Sequence, residues 1–114
     1  MENLQLYSAN TPNGWKIEIA LEELGEDYDF HPIDIGNDEQ FKEDFLRISP
    51  NNKIPALVDL QGPDGKEFSI FESGAILIYL AEKFASPLLP EQADIKYRTL
   101  TWLMFQMGGI GPML

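Results

Sequence analysis

The chain has 114 residues, 44% of them hydrophobic, enough for one compact domain with its own core. It has no cysteine and a single histidine, His31, which excludes disulfides, thiolate metal sites and a protein-borne thiol nucleophile, and argues against a zinc or histidine-based metal site. The net charge is −11, and eleven of the nineteen acidic residues lie between Glu18 and Asp44 with Lys42 as the only base there, a surface that repels nucleic-acid phosphates and gives no anchor to anionic membranes.

"LQLY" (Leu4 to Tyr7) alternates like a short strand. Thr11 is a natural N-cap and Pro12 suits a first helical turn. Ile17, Ala20, Leu21 and Leu24 then recur at helical spacing, and Gly25 ends that helix. "YDFHPIDI" (Tyr28 to Ile35) reads as an edge strand, because Pro32 cannot donate to a ladder. Phe41, Phe45 and Ile48 make a short amphipathic helix stopped at Ser49-Pro50.

Ala56 to Leu60 is the third strand, "QGPDGKE" a hairpin loop, and Phe68 to Phe71 the returning strand. Ser73 is expected to cap a third helix over Gly74 to Phe84, with Pro87 soon after it. A fourth helix is expected from Asp94 to about Met107. The order β-α-β-α-β-β-α predicts an α/β, thioredoxin-like βαβ-ββα domain with a four-stranded mixed sheet.

"GAILIYLA" (Gly74 to Ala81) is apolar around its whole circumference, which predicts a helix covered on two sides. Trp102, Phe105 and Met113 add large apolar groups near the chain end, a sticky surface unless more protein covers it. "MENLQLYSAN" lacks the pattern of a signal peptide and no apolar run is long enough to span a membrane, so a cytoplasmic location is expected.

In this topology the start of the first helix, the residue before the third strand and the start of the third helix share one end of the sheet. "NTPNG", "NKIP" and "FESG" fall at those places. A cis Ile54–Pro55 bond would turn the N–H and C=O of Ile54 outward to pair with an extended peptide. Ser73 and the helix-start amides suit a carboxylate, and Glu72 an ammonium group. Lys53 suits a second carboxylate, with Gln40 helping through its amide. Thr11 and Asn13 aim donors between these ends, where a thiol would have its anion stabilised.

"NKIPALVD" and "FESGAILIYLAEK" resemble the N-terminal domain of the glutathione S-transferase family, and the resemblance runs over essentially the whole chain. "TPNGWKIEIALEELGEDY", "FLRISPNNKIP" and "LMFQMGGIGPML" make it similar to the bacterial nu-class-like branch, itself similar to a fungal nitrogen-regulator branch. The resemblance implies glutathione as cofactor and cosubstrate. It places the Ile54 backbone, before cis-Pro55, against the cysteinyl unit, Glu72 and Ser73 at the γ-glutamyl end, and Lys53 and Gln40 toward the glycine end.

Many family members activate the thiol with a hydroxyl near the end of the first strand, where Tyr7 and Ser8 occur. In this branch "TPN" points to Thr11 and Asn13, with Tyr7 a weaker candidate. The branch implies disulfide-bond reductase activity, in which a glutathione thiolate attacks a disulfide and a second thiol resolves it. It likewise implies that conjugation to a small electrophile is weak or secondary.

The family also implies a homodimer and an all-helical second domain. Residues 1–86 are therefore expected to form the glutathione-binding domain, and 87–114 a linker and the first helix of a truncated helical domain. The rival expectations are a non-catalytic glutathione-binding or regulatory module of the same fold, and a structural interaction domain that pairs through its apolar tail.

Overall fold

The computed structural model describes residues 1–113. The elements run β1 (Leu4–Ser8), α1 (Pro12–Leu24), β2 (Asp29–Pro32), α2 (Glu43–Leu46), β3 (Ala56–Asp59), β4 (Phe68–Phe71), α3 (Ser73–Lys83) and α4 (Ala93–Phe105). The sheet is mixed, in the order β2-β1-β3-β4. β1 pairs parallel with β2 and antiparallel with β3, and β3 pairs antiparallel with β4. This is the expected thioredoxin-like βαβ-ββα arrangement. The chain divides into two compact units, Met1–Leu77 and Ile78 onward.

In the first unit α1 forms as its sequence dictates. The Thr11 side chain accepts from the Gly14 N–H, Pro12 opens the first turn, and Gly25 closes the helix in the left-handed region at φ 70°. Its buried residues Gly14, Ile17, Ala20 and Leu21 share one face. Leu4 and Leu6 of β1 and the whole of β3 are buried with them. Each fully buried Leu or Ile contributes roughly 1.5–3 kcal/mol.

Three boundaries differ from expectation. β2 stops at Pro32 rather than reaching Ile35. Past it the Ile33 N–H still reaches the Ser8 carbonyl (2.8 Å), and the chain then turns through Ile35–Asn37 and Glu39–Phe41. α2 is only four residues long, because Lys42 is extended (φ −67°, ψ 144°), so the helix begins only at Glu43 and without a side-chain cap. Phe41 is consequently left exposed while Phe45 is buried. At α3 the capping position belongs to Glu72, whose carbonyl accepts from the Ile76 N–H (2.9 Å), and Ser73 is the first helical residue.

The full apolar circumference of α3 is not all buried. Ile76 and Leu80 are inaccessible, whereas Leu77, Ile78 and Tyr79 are half-buried and Ala75 is exposed. In the second unit α4 has no buried residue among those described. Trp102 and Phe105 stand edge to face with centroids 5.6 Å apart, yet stay 67% and 51% exposed. Past Phe105 the helix loosens into a π-helical turn, Gln106–Ile110, before a last turn at Gly111–Met113. Among the described residues no helix is long and apolar enough to cross a membrane.

Candidate functional site

The strand register decides which residues can meet. Tyr7 faces His31 on β2 and Ala56 on β3, and Ala56 faces Phe71 on β4. One row, His31–Tyr7–Ala56–Phe71, therefore crosses the whole sheet. Directly past that row come Pro32, Ser8, Pro55 and Glu72. The start of α1, the approach to β3 and the start of α3 thus open at the same end of the sheet, as the sequence reading requires.

Thr11 and Asn13 sit on the first turn of α1. Gly14 N–H donates to Thr11 Oγ1 at 3.3 Å. That cap uses a lone pair and leaves the hydroxyl proton to donate elsewhere. Asn13 is exposed, and its Oδ1 accepts from Lys16 Nζ at 2.9 Å, which turns its NH2 group away from the lysine. Burial holds the Lys16 ammonium below its ordinary pKa. Gly14 explains how close α1 comes to β1. A Cβ at that position would collide with the Ala9 carbonyl oxygen and with Ser8 Oγ.

The Ile54–Pro55 bond is cis, and Pro55 is buried at the head of β3. Among the described residues nothing hydrogen-bonds the Ile54 N–H or C=O. Lys53 beside it is exposed and makes no ion pair within the described chain. Glu72 is exposed and lies at φ 76°, a region a side chain with a Cβ seldom adopts. Ser73 next to it is only 3% exposed. The first N–H groups of α3 have no intrahelical acceptor, as at any helix start. Gln40 lies on the turn Glu39–Phe41, and its Oε1 is buried without a partner.

Tyr7 and Ser8 fit a ligand role less well. The Tyr7 ring stacks on His31 at 4.4 Å and 12°. Burial, with the Glu67 charge adding to it, raises the phenol above its ordinary 10.0, so it stays protonated at neutral pH. Ser8 is inaccessible, its Oγ buried under α1 with no partner. Sequence reasoning missed Ser49, which is inaccessible and donates to the Lys53 carbonyl at 2.8 Å. In the sequence it reads only as a helix stop before Pro50. The positive φ of Asn52 (51°) had a weak signal, since Asn tolerates that region better than most residues.

The polar groups gathered near this end are thus the Thr11 hydroxyl, the Asn13 amide, the Lys53 ammonium, the Glu72 carboxylate and an Ile54 backbone N–H without a partner among the described residues. Among the described residues no group of three His, Cys, Asp or Glu could hold a metal ion.

A family profile described as "Glutathione S-transferase, N-terminal domain" matches residues 2–82. Disulfide-bond oxidoreductase YfcG of Escherichia coli (strain K12) is 54% identical over 112 residues, covering 97% of this chain and 52% of the relative. A crystal structure of a glutathione transferase family member from Pseudomonas fluorescens pf-5, with two glutathione bound, superposes with a TM-score of 0.95 at 53% identity, over 98% of this chain and 49% of that one. A glutathione transferase from Pseudomonas putida, with one glutathione disulfide bound per subunit, gives a TM-score of 0.95 at 55% identity, over 98% and 48%. The chain spans about half the length of the relatives it matches.

Proposed function

The chain belongs to the glutathione S-transferase family, and on that premise we propose that it binds glutathione and serves glutathione-dependent disulfide reduction, with transfer to a small electrophile as a lesser activity. The observation that carries this reading is the register row His31–Tyr7–Ala56–Phe71, which brings Thr11, Asn13, Ile54, Glu72 and Ser73 to one end of the sheet.

When bound, glutathione supplies the reacting thiol. The Ile54 amide and carbonyl pair with the cysteinyl unit and set the register of the tripeptide. Glu72 accepts the γ-glutamyl ammonium, while Ser73 and the start of α3 take the carboxylate beside it. Lys53 meets the glycine carboxylate through charge, and Gln40, whose buried Oε1 lacks a donor, meets the adjoining peptide N–H. Thr11 Oγ1 and Asn13 Nδ2 donate to the sulfur. A thiol ordinarily has a pKa of about 8.5, and a helix start lowers it. Each donor to the anion is worth about 1–3 kcal/mol, so two make the thiolate a major form at neutral pH.

The proposal extends to the domain division, with 1–86 as the glutathione-binding domain and 87–114 as the linker and first helix of a helical one. It also extends to a cytoplasmic homodimer. The exposed Trp102 and Phe105 offer apolar surface for further protein of that kind. Calorimetric titration with glutathione, followed by turnover of a small disulfide in its presence, tests the reading. Binding with turnover supports it; binding without turnover favours a non-catalytic glutathione-binding module; no binding defeats it.

A further inference from the structure

The loop ahead of Pro55 is organised from inside. Phe45 is buried, and its carbonyl accepts the Ser49 N–H at 2.8 Å. The Ser49 carbonyl in turn accepts the Asn52 N–H at 3.0 Å, with Asn52 held at φ 51°. The Ser49 hydroxyl then donates to the Lys53 carbonyl at 2.8 Å from a position with no solvent exposure. A buried serine spends its one proton on a loop carbonyl that no helix or strand uses.

The consequence follows from peptide geometry. The Lys53–Ile54 bond is trans, the cis bond of this segment being the next one. In a planar trans peptide the C=O and the N–H point in opposite directions. Fixing the Lys53 carbonyl toward buried Ser49 therefore fixes the Ile54 N–H away from it. That N–H is the donor with no partner among the described residues.

We infer that Ser49 is a positioning residue for glutathione: by holding the Lys53 carbonyl it pre-orients the Ile54 amide that pairs with the cysteinyl unit. This rests on the proposed function. It adds that affinity for the cysteinyl part of the ligand is set by a buried side chain that never touches it. Without the hydroxyl the 53–54 peptide plane can rotate, and the ordering cost moves into the binding step.

The test compares two probes on wild type and Ser49→Ala by NMR titration. One probe is glutathione. The other is γ-glutamylethylamide, which keeps the γ-glutamyl end and its amide N–H but lacks the cysteinyl carbonyl, the acceptor that the Ile54 N–H requires. Ser49→Ala is expected to weaken glutathione about fivefold to tenfold, the scale of one hydrogen bond, and to leave the second probe within about twofold of wild type. Equal weakening of both probes, or none, overturns the inference, because a merely loosened site would lose both ends alike. Should Ser49→Ala fail to fold, Ser49→Cys keeps the size with a weaker donor, and the same selective loss is expected at smaller scale. A wild type that binds neither probe defeats the functional reading and this inference together. A wild type that binds glutathione while the variant keeps full affinity overturns the inference alone.

Discussion

Lys16 Nζ donates to Asn13 Oδ1 at 2.9 Å, one turn apart on the first helix. An amide whose oxygen is occupied presents its NH2 group outward, and that is the group a thiolate needs. Asn13→Asp keeps the shape and the lysine partner but leaves only acceptors. We expect the thiol of bound glutathione to titrate about one pH unit higher in this variant. Ultraviolet thiolate absorbance followed against pH checks it, and an unshifted curve would remove Asn13 from the chemistry.

On the proposed function Thr11 has two duties that a pair of variants separates from simple packing. Its oxygen caps α1 by accepting from Gly14 N–H, and under that proposal its proton goes to the sulfur. Thr11→Val should cost about 1 kcal/mol of stability by loss of the cap and also raise the bound thiol pKa. Thr11→Ser should restore both. Denaturant melts and thiolate titration of the two variants report the two effects side by side.

Glu72 sits at φ 76° with an exposed side chain. Left-handed backbone costs a residue with a Cβ roughly 1–2 kcal/mol, and glycine almost none. Glu72→Gly should therefore be more stable than Glu72→Ala by about 1 kcal/mol in urea denaturation, less what glycine gains in the unfolded chain. Both lose the carboxylate, so both should bind glutathione more weakly than wild type. Equal stabilities would mean the conformation carries no strain.

Asp29 ties the chain's start to β2. Its Oδ2 accepts from Gln5 Nε2 at 2.7 Å and from the Glu2 N–H at 3.0 Å. The Gln5 bond first, then the Glu2 bond, hold its pKa below the ordinary 3.8, and the positive N-terminus and His31 act in the same direction. A depressed carboxylate contributes stability that is complete above its unfolded pKa and is lost as pH falls through the folded one. Wild type should therefore lose stability more steeply below about pH 4 than Asp29→Asn does. Denaturation midpoints measured between neutral and strongly acidic pH give both slopes.

Much of this molecule is legible in its sequence because local and global signals agree. Thr11, Pro12 and Gly25 mark the ends of α1, and the structure puts the helix between them. The strand order places "NTPNG", "NKIP" and "FESG" at one end of the sheet, and the register bears that out. What the sequence hides is set by tertiary geometry. The length of α2 depends on an extended backbone at Lys42, a residue with no turn signature of its own. The close approach at Gly14 depends on where β1 ends beneath the helix. Ser49 looks like ordinary punctuation until its hydroxyl is seen to meet a carbonyl four residues on.

The most direct measurement is the amide NMR spectrum of the isotope-labelled chain during titration with glutathione. Saturable shifts confined to Thr11, Asn13, Gln40, Lys53, Ile54, Glu72, Ser73 and their immediate neighbours are expected. A spectrum that stays unchanged at millimolar glutathione, or shifts gathered at the opposite end of the sheet around Asp59 and Phe68, would contradict the assignment of this site.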